Sequence, residues 1–60
     1  MENRSELRMK RLAYTKLKET LDAMCEELDL TQGEIECINI VYAISDREEA
    51  RITEKIKSGE

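Results

Sequence analysis

The chain has 60 residues, 40% of them charged, a net charge of −4, and no His, Pro, Trp or Phe. A chain below roughly 70 to 80 residues rarely builds a core worth more than about 3–5 kcal/mol without disulfides, metal or a second chain. The composition suits exposed helices with narrow apolar stripes, and it leaves little material for a β-sheet. We therefore expect an all-α protein that depends on association.

The composition also predicts where the protein works. No segment approaches the roughly 18 to 20 consecutive apolar residues of a membrane span, and residues 1–10 lack the apolar stretch of a secretory signal. We expect a cytoplasmic protein with no membrane partner. In that reducing compartment Cys25 and Cys37 are expected to stay free and to pack as small apolar side chains, with a redox role left open.

The first predicted helix covers about residues 4–29. Asn3 and Glu6 have the spacing of an N-cap residue and its capping-box partner. Apolar residues then recur at the a and d positions of a heptad, interrupted once by Lys10. They are Leu7, Tyr14, Leu17, Leu21, Met24 and Leu28. The pattern predicts one packing seam along this helix.

A turn is predicted at residues 30–33. Thr31 can cap the next helix with its hydroxyl, and Glu34 can return to the Thr31 backbone N–H as the second half of a capping box. Leu30 and Ile35 have the spacing of a hydrophobic staple across this cap. The chain is therefore expected to fold back on itself here.

The second predicted helix covers about residues 32–57. Its seam continues the same spacing through Ile35, Ile38, Tyr42, Ser45, Glu49, Ile52 and Ile56. The absence of Gly and Pro between Glu34 and Ser58 favours a continuous helix that stops near Gly59. The alternative is three short helices with a break near Ser45, because Ser45 and Glu48 also have the spacing of a capping box.

These elements predict a single antiparallel helical hairpin over residues 1–60, with Met24 near Ile38 and Leu7 near Ile56. Several apolar residues fall outside the seams and would form an exposed patch, which monomers rarely leave in water. We therefore predict a homodimer that forms a four-helix bundle. The predicted partner or dimer interface consists of Cys37, Ile40, Val41, Ile44 and Leu12.

The chain offers no set of residues suited to catalysis. It has no His, its cysteines stand singly rather than as a CxxC pair, and Gly33 is not part of a phosphate-binding loop. We therefore expect no enzyme activity, no catalytic, cofactor or metal site, and no cofactor.

Basic residues follow one stripe of the first helix and form a candidate nucleic-acid contact: Arg4, Arg8, Arg11 and Lys18. Residues 1–18 carry a net charge of +4, whereas residues 19–60 carry −8. A basic stripe can lie across phosphates, but no aromatic side chain outside the seam accompanies it.

The sequence therefore predicts a small regulatory or adaptor protein that binds a protein partner through an exposed helix face. Inhibition of a larger enzyme or of a transcription factor is one form of this function. The alternative is a small RNA- or DNA-binding regulator that uses the basic stripe.

Overall fold

A computed structural model describes residues 3–58 as an antiparallel pair of helices, which confirms the predicted hairpin. Helix α1 spans Arg4–Glu27 and helix α2 spans Gln32–Ser58. The rod that they form measures 44 × 15 × 15 Å. Because α2 runs through Ser45 without interruption, the alternative with a break at this residue is wrong. The predicted stop at Gly59 lies outside the described residues.

Both predicted helix starts are present. The Thr31 hydroxyl accepts a hydrogen bond from the Glu34 N–H at 3.2 Å, and the Glu34 carboxylate accepts one from the Thr31 N–H at 2.8 Å. These two bonds form the capping box at the start of α2. The hydrogen bond from the Thr31 N–H holds the pKa of Glu34 below its usual value. At the start of α1, the Asn3 side chain accepts from the Glu6 N–H at 2.8 Å.

Helix α1 ends at Glu27, two residues before the predicted end. Leu28 forms its C-cap in an extended conformation, and its N–H donates to the Met24 carbonyl at 3.0 Å. The last turn contains no basic residue, and Glu26 and Glu27 place carboxylates at the negative end of the helix dipole. The early end turns Leu28 out of the predicted seam, and its side chain is exposed.

The core is a single thin layer between the helices. Its buried apolar side chains are Leu7, Leu21, Ile38, Ile52 and Ile56. Tyr14 packs against the cluster formed by Leu7, Ile52 and Ile56 near the open end of the hairpin. The predicted α2 seam is confirmed, since each of its seven residues is buried or half-buried. On α1, by contrast, the seam residue Leu17 is exposed.

Ser45 is the most deeply buried side chain that the structure describes. It is 1% exposed, whereas the core apolar side chains each retain 6–8%. Its hydroxyl donates to the Val41 carbonyl one turn earlier in α2 at 2.8 Å. The centre of the hairpin is therefore occupied by a small polar residue, so the seam buries little apolar surface at its midpoint.

A substitution at Gly33 tests how the first turn of α2 contributes to the free energy of unfolding. It lies in the first turn of the helix with no positive φ, and a Cβ at this position would meet no atom within 4 Å. Replacing Gly33 by Ala should therefore raise the free energy of unfolding by about 0.5 kcal/mol, because Ala loses less backbone entropy on folding. Urea denaturation followed by circular dichroism measures this effect. A lower urea midpoint would contradict the open environment of Gly33.

Candidate interaction surfaces

One flank of the hairpin is polar and joins the two helices by side-chain hydrogen bonds. Lys18 on α1 donates to Asp46 and to Glu49 on α2, each at 3.1 Å. Thr15 donates to the second carboxylate oxygen of Glu49. The Lys18 ammonium also lies 5.8 Å from the centre of the Tyr42 ring, within range of a cation–π interaction. We call Thr15, Lys18, Asp46 and Glu49 the polar cluster.

The polar cluster shifts the pKa of two of its members. The hydrogen bonds from Thr15 and Lys18 lower the pKa of Glu49 below its usual 4.5. The hydrogen bonds to Glu49 and Asp46 raise the pKa of Lys18 above its usual 10.5. Both shifts favour the charged forms, so the cluster stabilises the hairpin while Glu49 is ionised and Lys18 is protonated.

Acid should therefore weaken the hairpin through Glu49 and Glu34. Their pKa values are lower in the folded than in the unfolded chain, so their contribution is present above about pH 4.5 and is lost as the pH falls through the folded values. We expect Glu49→Gln to reduce the loss of stability between neutral pH and acid, as measured by urea midpoints. Glu54→Gln, at an exposed carboxylate of the same helix, is the control and should leave the wild-type pH dependence in place.

The opposite flank of the hairpin is apolar from the turn to the middle of the rod. Near the turn it forms an open groove of about 520 Å³ whose lining includes Met24 from α1 and Cys37 and Ile38 from α2. Val41 and Ile44 follow Cys37 at the i+4 and i+7 positions, and Leu17 precedes Met24 by seven residues, so all three continue this side of the rod. We call Leu17, Met24, Cys37, Val41 and Ile44 the apolar flank.

The exposure of α2 residues increases with distance around the helix from the seam. Val41 is 39% exposed, Ile44 43% and Ile40 60%. Ile40 follows buried Ile38 by two residues, about 200° around the helix, and so lies on the side of α2 that faces away from α1. Of the predicted interface residues, the structure therefore brings together Cys37, Val41 and Ile44 on the apolar flank, whereas Ile40 lies on the outer side of α2.

Leu12 does not join this surface. It follows buried Leu7 by five residues, about 140° around α1, and therefore lies on the side of α1 that faces away from α2. Its exposure of 56% agrees with that position. Leu12 therefore lies on a different side of the hairpin from the α2 residues of the predicted interface, and its part in an interface stays a prediction.

The two cysteines lie on opposite flanks. Cys25 follows Lys18 by seven residues and shares the polar flank, whereas Cys37 belongs to the apolar flank. Both are free thiols, as expected, but both are exposed, so the prediction that they pack as apolar side chains is wrong. Their positions make them useful probes of the two flanks.

The predicted basic stripe is divided by the structure. Arg4 and Arg8 are exposed, and Arg11 is half-buried. The side chain of Lys18 is only 16% exposed and pairs with two carboxylates of α2. Lys18 therefore lies at the junction of the helices rather than on the outside of α1, and it does not extend an outer basic stripe.

The folded hairpin separates acidic from basic residues more completely than the linear sequence does. Lys18 and Asp46 lie at the same level, because their side chains are joined by a hydrogen bond. On the turn side of this level, residues 19–46 contain eight acidic residues and no basic one. On the open side, residues 3–18 and 47–58 together contain ten basic and four acidic residues. The turn half is thus strongly negative and the open half is positive.

Comparison with protein-family models, with curated proteins and with solved structures gives no match. Neither α1 nor α2 is long and apolar enough to cross a membrane. Within residues 3–58, no three His, Cys, Asp or Glu side chains are grouped as metal ligands would be. The apolar flank and the charge separation are therefore the features from which a function must be argued.

Proposed function

We propose that this chain is a small cytoplasmic regulatory or adaptor protein that acts by protein–protein interaction through its apolar flank. Docking of α2 against an apolar surface of a larger enzyme or transcription factor, with inhibition as the result, is one form of this function. The binding step needs no catalytic group, because docking of a helix face depends on shape and apolar contact.

The observation that carries the proposal is the position of the exposed apolar side chains. Val41, Ile44 and Leu17 are large, partly exposed and grouped on one side of the rod rather than scattered. A grouped apolar surface of this kind is typical of an interface. The thin core supports the same conclusion, since the hairpin buries few apolar side chains by itself and has the most to gain from covering the flank.

Nucleic-acid binding is the second candidate, and the positive open half of the rod is the observation that favours it. Arg8 and Arg11 would be its central contacts. Two features oppose it: Lys18 is neutralised by carboxylates of α2, and the eight acidic residues of the turn half would repel phosphates. We therefore place protein binding first.

Affinity capture from the native host distinguishes the two functions when proteins and nucleic acids are both read out. Ile44→Asp should abolish capture of the protein partner, because it places a charge in the apolar flank. Leu12→Asp makes a comparable change on the far side of α1 and serves as the control. The combined Arg8→Glu and Arg11→Glu variant should leave the protein partner bound.

Three outcomes would reject the proposed function in favour of nucleic-acid binding. They are nucleic acid in the captured fraction, its loss in the arginine double variant, and an affinity that falls steeply with salt. Equal loss of the protein partner in Ile44→Asp and Leu12→Asp would also reject it, because binding would then not depend on the apolar flank.

A further inference from the structure

We infer that the apolar flank is covered by a second copy of this chain, and that the two rods lie antiparallel, with the turn of each beside the open end of the other. This inference rests on the proposed function, because it names an occupant for the same surface. It adds the identity of that occupant and the direction in which it lies.

The dimensions of the rod require nearly full overlap of the two copies. A stable interface of standard size buries about 800 Å² on each partner. One flank of a rod 44 Å long and 15 Å wide is about the size of such an interface only when its whole length is used. A short contact between the two turn regions alone would use half of that flank.

The separation of charge selects the direction. With the turns at the same end, the negative turn half of one copy would lie beside the negative turn half of the other. With the rods antiparallel, each acidic turn half lies beside the positive open half of its partner. Complementary charge favours the second arrangement, and like charge opposes the first.

The antiparallel dimer brings together the part of the apolar flank that lies nearest the midpoint of the rod. Ile44 lies one residue from Ser45, the midpoint of α2, and Leu17 lies one residue from Lys18 at the same level. A twofold axis at that level brings both copies of Ile44 and Leu17 to the centre of the interface. Beyond Ile44 the same side of α2 continues with Glu48, Arg51 and Lys55.

The twofold axis also fixes which residues meet away from the centre. Cys37 lies eight residues from Ser45 toward the turn, so the two copies of Cys37 would be about 24 Å apart along the rod. Arg51 lies six residues from Ser45 in the other direction. Each Cys37 therefore lies at nearly the same level as the partner copy's Arg51.

Thiol cross-linking of the full chain tests this arrangement. In a Cys25→Ser background, the additional change Arg51→Cys should permit a short thiol cross-linker to join two chains through positions 37 and 51. Cys25→Ser alone should give no cross-linked dimer. The triple variant Cys25→Ser, Cys37→Ser and Arg51→Cys should also give none, because its two thiols lie on opposite sides of the twofold axis.

Analytical ultracentrifugation at micromolar concentrations in increasing NaCl supplies an independent test. We expect a dimer whose dissociation constant rises with salt, because salt screens attraction between opposite charges. A dimer that tightens with salt, or cross-linking through Cys37 alone, would overturn the antiparallel arrangement. Circular dichroism establishes that each variant retains its helices.

A wild-type chain that stays monomeric at these concentrations would overturn the inference. The proposed function would survive that result if the monomer captured a different protein and lost it in the Ile44→Asp variant. Conversely, an antiparallel dimer whose capture of a further protein is unaffected by Ile44→Asp would support the inference and reject the proposed function. The two failures are therefore distinguishable.

Discussion

Replacing Ile52 by Ala is expected to unfold a large fraction of the isolated chain. Ile52 is the least exposed apolar side chain that the structure describes, at 6%, and it packs with Leu7 and Ile56 near the open end. Truncating a buried Ile to Ala typically costs about 2–5 kcal/mol. That loss is comparable to the whole stability of about 3–5 kcal/mol expected for a chain of this size.

Thermal and urea denaturation at low protein concentration measure the effect. Ile40→Ala is a matched control, because it makes the same chemical change in the same helix at a side chain that is 60% exposed. Both substitutions raise helix propensity equally, so the difference between them reports burial. We expect Ile40→Ala to change the free energy of unfolding by less than about 0.5 kcal/mol. Equal destabilisation by the two changes would contradict the position of the core.

The helix starts could be predicted from the sequence because their physics is local. The hydroxyl of Thr31 and the carboxylate of Glu34 bond to backbone groups three residues away, whatever the rest of the chain does. The α2 seam could be predicted for a related reason. A helix with a regular apolar stripe buries that stripe against any neighbour, so periodicity alone identifies Ile38, Ile52 and Ile56.

The placement of Lys18 could not be predicted in this way. Its spacing from Arg4, Arg8 and Arg11 is compatible with a stripe on α1, but the position of that stripe relative to α2 depends on how the helices are rotated. Asp46 and Glu49 lie 28 and 31 residues away in sequence, and only the pairing of the helices brings them to Lys18. The charge separation along the rod was missed for the same reason, because it becomes visible only when residues 18 and 46 are placed at one level.

The predicted interface combines residues from different sides of the hairpin, because the sequence pattern shows which residues lie outside a seam but not which way they face. A residue outside the seam of a helix can lie on either flank or on the outer side. Ile44 and Leu12 are both exposed apolar residues, yet they face different directions. The pair is valuable for that reason, since a change at one residue tests the apolar flank and the same change at the other does not.

Ile44→Asp is expected to weaken the inferred dimer by at least 100-fold, equivalent to about 2.7 kcal/mol. Ile44 lies beside the inferred twofold axis, so the variant would bring two carboxylates close together inside an apolar interface. Each would lose water without gaining a cationic partner, and the two would repel each other. Each dimer therefore contains two substituted residues, and both lie in the interface.

Sedimentation equilibrium of wild type, Ile44→Asp and Leu12→Asp measures the three dissociation constants under one set of conditions. Leu12→Asp should retain the wild-type constant, since it adds the same charge on the side of α1 that faces away from α2. Circular dichroism should show the same helicity in all three, because both substituted residues are exposed within the hairpin. A dimer of Ile44→Asp with wild-type affinity would place the second copy on another surface of the rod, and equal weakening in Leu12→Asp would assign the effect to net charge.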